Sequence, residues 1–209
     1  MIEHASVDLL DLSSRLVAFT RADDPLWSGM IVLAPGERVE LAAAVRHELL
    51  VVSGAVDCDD GLRLDSGDFA VRGGPAGLRA GESGAQLFAY RDASGTVFDE
   101  TTVTRADRPW RESRTAGMLS ANLGNRGHAL NLVMWQPGVL TRRHAHPRGE
   151  EIFVLRGELC EERRHPAGSW MRLHPGAWHS PVVETPTLLL VRSGHLTARR
   201  PEGPARADA

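Results

Sequence analysis

The sequence predicts an all-β protein made of two copies of one β-rich unit, and three observations carry that expectation. Short apolar segments, each β-branched or aromatic-rich, recur along the whole chain. The 21 glycines and 12 prolines fall between them, which is the punctuation of brief strands and turns, not of long helices. One order of features also returns at a spacing of 101 to 103 residues, the mark of an internal duplication.

Taken in order, the first half offers strands at Met30 to Leu33, Glu48 to Val52, Phe69 to Arg72 and Gln86 to Arg91. The second half offers Leu130 to Trp135, Ile152 to Leu155, Trp170 to Leu173 and Thr187 to Arg192. Val7 to Phe19 suits either a partial helix or an irregular N-terminal arm. In the repeat, Pro35-Gly36 returns as Pro137-Gly138, Glu48-Leu-Leu-Val-Val-Ser-Gly54 as Glu151-Ile-Phe-Val-Leu-Arg-Gly157, and Gly67-Asp-Phe as Gly168-Ser-Trp. Apolar alternation fades over Ser94 to Arg114, where a linker is expected. These features divide the chain into an N-terminal arm at 1–19, a first β-unit at 20–105, a second at 106–198 and a disordered tail at 199–209.

Composition narrows the function. Of 209 residues 42% are hydrophobic and 24% charged, an ordinary balance for a folded domain with a core. The 24 basic residues are all arginine and, set against 27 acidic ones, leave a net charge of −3. Such a chain has no global field for nucleic acid or anionic membranes, and neither is expected as a partner. Cys58 and Cys160 lack CxxC or finger spacing and fit a reducing compartment. With no basic and apolar leader and no apolar run near the ~20 residues that span a bilayer, a cytoplasmic location is expected.

The chemistry is concentrated in Gly138-Val-Leu-Thr-Arg-Arg-His144-Ala-His146-Pro-Arg-Gly-Glu150-Glu151-Ile-Phe-Val-Leu-Arg-Gly157 and in Gly168-Ser-Trp-Met-Arg-Leu-His174-Pro-Gly176-Ala-Trp-His179. In extended chain, residues two apart share a face, so His144 and His146 present two imidazoles to one side. A turn at Pro147-Arg148-Gly149 lets Glu150 add a carboxylate from the next strand, and the Pro175-Gly176 turn can deliver His179. Three histidines and a glutamate form a mixed nitrogen and oxygen set that suits one divalent metal ion per chain, with zinc and iron leading and manganese, nickel or cobalt also compatible. Glu151 is the fallback carboxylate, although alternation turns it to the opposite face. Arg142 shares parity with the two histidines and can hold an anionic substrate, and Trp178 can wall the pocket.

These residues resemble the two cupin motifs, G-x5-H-x-H-x3-E-x6-G and G-x5-P-x-G-x2-H, with His174 where the family usually has proline. More narrowly, residues 130 to 195 resemble the cupin domain of the ChrR-type anti-sigma factors. The resemblance implies two double-stranded β-helix (cupin jelly-roll) domains, a metal held inside the second barrel by His144, His146, Glu150 and His179, and a homodimer. In the first copy Ala42, Ala44 and Leu78 stand at the histidine positions, and His47 or Glu48 near the carboxylate, so 20–105 reads as a degenerate cupin without metal ligands. The clustered His and Cys of the anti-sigma N-terminal module are not matched, and a sigma-factor partner is not expected. Two functions remain: a metalloenzyme of dioxygenase type acting on a small molecule, and a zinc-binding regulatory or ligand-sensing cupin without catalysis.

Overall fold

The computed structural model describes residues 1–10, 13, 15–94, 99–125 and 128–196. Among them are nineteen strands and no helix, so no helix is long and apolar enough to cross a membrane. All eight expected strands form, and two run much longer: Glu48 to Val52 lies in the first half of Arg46–Cys58, and Gln86 to Arg91 near the end of Ala76–Asp92.

Two antiparallel sheets of eight and seven strands contain most of these elements, and their strand orders match. Leu26–Leu33, Ala76–Asp92, Arg46–Cys58 and Phe69–Gly73 lie side by side in one sheet, and Ala129–Trp135, Thr187–Ser193, Glu150–Arg156 and Ser169–Leu173 repeat that order in the other. The turn glycines of the repeat have a shared cause. Gly54 and Gly157 have φ of +73° and +81°, and a Cβ at either would run into a backbone carbonyl, that of Gly84 or of Pro186.

The helical alternative for Val7 to Phe19 is overturned at Arg15–Ala18, which is a strand, while residues 11, 12 and 14 lie outside the described residues. Ile2–Ser6 pairs antiparallel with Ser169–Leu173 in the second-half sheet, and Arg15–Ala18 pairs with Leu26–Leu33 in the first-half sheet. Pairing with sheet edges outweighs the weak helical periodicity of this segment, and the N-terminus thereby ties the two sheets together. In the expected linker, Thr101–Val103 pairs with Phe69–Gly73, whereas Arg111–Glu112 pairs with Met118–Asn125. The expected tail, 199–209, lies outside the described residues.

Strand alternation sorts the apolar residues into three clusters. Ile31, Leu33, Leu49, Val51 and Leu87 point into the first half, and Ile152, Val154, Met171 and Leu189 into the second. Their neighbours Met30, Val32, Leu50 and Phe88 meet Leu130, Leu132, Phe153 and Trp170 between the sheets, with the Phe88 and Phe153 rings 4.5 Å apart. Burial on both faces is why these strands read as continuous apolar runs and not as polar and apolar alternation.

The same alternation carries the repeat-equivalent Glu48 and Glu151 into the space between the sheets. Glu151, wholly buried, accepts Ser28 Oγ at 3.0 Å and meets Arg172 and His195. Glu48 receives His128 at 3.2 Å, Arg46 at 3.3 Å and the more distant Arg192 at 3.6 Å. Each carboxylate is thus bonded across the interface, Glu48 by the second half and Glu151 by Ser28 of the first. Burial raises both carboxyls, but Arg192, His128 and Arg46 around Glu48, and His195, Arg172 and Arg192 around Glu151, overrule it and hold each at about 2.

Candidate metal centre

His144 and His179 sit opposite each other in a short antiparallel pair, His144–Ala145 with Trp178–His179. The two turns flanking the motif are fastened to one atom. The carbonyl of His146 accepts both the Gly149 N–H and the Gly176 N–H at 3.1 Å, so the Pro147 and Pro175 turns close side by side. Gly149, at φ +68°, bends the chain into the strand that begins with Glu150.

This arrangement brings four side chains together. The Nε2 of His179 lies 3.0 Å from Nε2 of His144 and 3.1 Å from Nε2 of His146. Oε2 of Glu150 lies 3.3 Å from the His146 Nε2 and 3.7 Å from that of His179. The outer atoms are held as well: His144 Nδ1 donates to the Arg142 carbonyl at 2.8 Å, His179 Nδ1 to Glu161 Oε1 at 3.0 Å, and Ser193 Oγ to Glu150 Oε1 at 2.7 Å. With Nδ1 carrying the proton, the Nε2 lone pairs of His144 and His179 point at each other, an arrangement that repels until a cation lies among them. Donors bonded to a metal at about 2.0–2.1 Å at right angles to one another are about 3 Å apart, the separation these histidines have. The three histidines can therefore hold a metal ion.

The electrostatics agree. Burial, helped by the neighbouring His179 and His144, lowers His146 to about 4, so its imidazole is neutral and able to ligate near neutral pH. Burial raises Glu150 to about 7, an effect that Glu161 reinforces and that Ser193 and His179 oppose. In metal-free protein the folded state therefore binds this proton more tightly than the unfolded chain, whose carboxyl titrates near 4.5. That contribution to stability is present below the unfolded value and lost as pH rises through about 7. Glu150→Gln, neutral throughout, is expected to melt above the wild type in chelator at pH ~8 and level with it at pH ~4.5. Thermal unfolding at the two pH values measures this, and a variant melting below the wild type at the higher pH would refute it.

A cavity of about 220 Å³ opens on these groups, walled by Met118, Trp135, Ile152, Leu159, Leu189 and Val191. Arg142 is exposed and does not line it. Trp178, 55% exposed, carries Arg143 over its ring at 4.9 Å and borders a separate surface depression with His4 and Arg163. Glu151 is turned away, into the inter-sheet network. Glu161 and Ser193 are the residues that reasoning from spacing missed: each lies far in sequence from the group it orients, and no motif marks it.

An all-β chain of two like sheets, with a histidine cluster inside the second half, has the architecture of the cupin fold. Residues 99–197 match the family described as the ChrR Cupin-like domain. No curated protein sequence matches the chain. Among solved structures, the chain is similar to a protein from Pseudomonas aeruginosa provisionally described as glyoxylate induced, at 14% identity and a TM-score of 0.73, covering 86% of this chain and 79% of that one. It is similar also to a protein from Nostoc punctiforme provisionally described as a dioxygenase, at 13% identity and TM-score 0.71, covering 95% and 85%. Oxalate decarboxylase from Bacillus subtilis matches at 14% identity and TM-score 0.62, covering 93% and 72%. At these identities the likeness is one of fold.

Proposed function

We propose that this protein is a metalloenzyme of dioxygenase type, with one divalent metal ion held by Nε2 of His144, His146 and His179 and by Glu150. The observation that carries the reading is the convergence of these four donors, three of which are oriented from outside by Arg142 O, Glu161 and Ser193. A bound redox metal with open positions supplies Lewis-acid and one-electron chemistry toward a substrate and oxygen. The chain's own residues do the rest. The apolar wall of Trp135, Ile152, Leu189 and Val191 excludes water and selects a small organic substrate. Glu161 holds the Nδ1 proton of His179 and keeps its Nε2 directed inward.

Because Glu161 acts through His179, Glu161→Ala is expected to weaken metal binding by roughly 10–100-fold without abolishing it, read by competition with a chromophoric chelator. The enzymatic reading is tested by loading the protein with Fe(II) under anaerobic conditions, adding a panel of small carbonyl and enol compounds, and measuring oxygen uptake on admission of air. Uptake that needs one of the compounds supports the proposal. Protein that holds zinc tightly and consumes no oxygen with any metal supports the second reading, a ligand-sensing zinc module, which the match to the ChrR Cupin-like domain favours.

We also propose that the chain divides near residue 105 into two jelly-roll domains, with metal chemistry in the second. The separate interior clusters of the two halves, and the change of sheet partner between Thr101–Val103 and Arg111–Glu112, support this division.

A further inference from the structure

The first half contains a cavity of its own, of about 290 Å³, between Trp27, Ile31, Leu33, Val39 and Leu41. Its polar end is made by His47 and Arg91, which face each other across neighbouring strands. In the repeat His47 takes the place of Glu150, and Arg91 that of Ser193, which is Glu150's cross-strand partner. Ala42, at one histidine position, also lines the cavity. The duplicated site has thus exchanged a cluster of ligands for one cation and one imidazole.

Each polar group has a buried nitrogen without a hydrogen bond. His47 is 2% exposed; its Nε2 has a long contact of 3.4 Å to the Ala42 carbonyl, and its Nδ1 is buried with no hydrogen bond. The Arg91 guanidinium lies 4.1 Å from the Trp27 ring centroid, its Nε is buried without a hydrogen bond, and among the described residues it forms no ion pair. The acids at the rim are engaged elsewhere: Glu40 bonds to Arg38, and Glu37 accepts the Ala34 N–H. A buried imidazole nitrogen and a half-buried guanidinium without acceptors are costly unless a ligand completes them.

We propose that this cavity is a second, metal-independent ligand site that takes a small monocarboxylate with a hydrocarbon body, its carboxylate on Arg91 and His47 and its apolar part against Trp27, Ile31, Leu33, Val39 and Leu41. Arg15 and Arg38 also border the cavity, but Arg15 is bonded to the Ser13 carbonyl and Arg38 is paired with Glu40 and Asp59, so the charge beside His47 is that of Arg91 and favours a monoanion over a doubly charged phosphate against the apolar walls. Size sets the other limit: a cavity of about 150 Å³ holds benzene, so this one accommodates roughly ten non-hydrogen atoms.

Calorimetric titration of the full-length, metal-loaded protein with benzoate and hexanoate tests the site, with benzamide as the neutral isostere of benzoate. Binding of either acid is expected with a dissociation constant at or below about 1 mM, with benzamide and the Arg91→Gln variant each at least about tenfold weaker. Arg91→Lys is expected to recover part of the loss, since it keeps the charge but not the planar fork. His144→Ala should leave carboxylate binding in place, which separates this site from the metal centre. Absence of binding to both acids up to ~10 mM, equal affinity for benzamide, or loss of binding in His144→Ala would overturn the proposal. If Arg91→Gln fails to fold, the benzamide, Arg91→Lys and His144→Ala comparisons decide it.

Discussion

Replacing His179 by alanine is expected to take the protein from about one metal ion per chain to almost none after dialysis, with an apparent affinity about 10²–10³-fold lower. The magnitude follows from sharing a four-ligand binding free energy of about 10–16 kcal/mol among its donors, roughly 2.5–4 kcal/mol each. His179 is the central member: its Nε2 is 3.0 and 3.1 Å from the other two histidines, and its Nδ1 is the one bonded to Glu161. Removing it leaves a pair of imidazoles and strands the Glu161 carboxylate, 10% exposed, without its donor. His144→Ala should behave alike. His174→Ala is the control, because His174 bonds to Glu3 and belongs to no part of the cluster. Elemental analysis of the three variants beside the wild type settles the matter; full metal content in His179→Ala, or a loss in His174→Ala equal to it, would refute the assignment.

The legibility of this site in the sequence was uneven, for physical reasons. His144, His146, Glu150 and His179 are readable because strand parity and two Pro-Gly-type turns fix which side chains share a face within a local stretch. The Glu161 and Ser193 partners and the cavity walls arise from pairings between distant strands, which local spacing does not encode. The fold shows the same division. The eight core strands are plain because each is a short, mainly apolar run with most of its apolar side chains buried. Ile2–Ser6 and Arg15–Ala18 are not, because their burial is partial and their conformation is decided by the sheet edges that they join. In the degenerate half, alignment alone left His47 and Glu48 as alternatives for one position. Alternation in the folded sheet separates them, with His47 facing the cavity and Glu48 the interface.

That interface makes the second large prediction. Glu151→Ala is expected to destabilise the protein by about 3–5 kcal/mol, because it removes one member of a buried charged group and leaves the others uncompensated. Arg172, 5% exposed, would keep Asp24 and the Leu26 carbonyl but lose its fully buried partner, and His195 and Ser28 would lose theirs. For a chain of this length each kcal/mol is worth about 2–4 °C, so the midpoint should fall by roughly 6–20 °C. Asp23→Ala, at the exposed pair with Arg21, should move it by no more than about 2 °C. The pH dependence tests the cause. Because the folded Glu151 carboxyl is held at about 2, below its ordinary 4.5, the stability it contributes is present above about 4.5 and lost as pH falls toward 2. The gap between wild type and variant should therefore narrow across that acid window. A gap of the same size at both ends would mean that Glu151 matters for the space it fills and not for its charge. Replacing Glu151 and Arg172 together by leucine and methionine should then recover part of the loss in the first case, since the two most buried charges leave together and only Asp24 and His195 lose a partner.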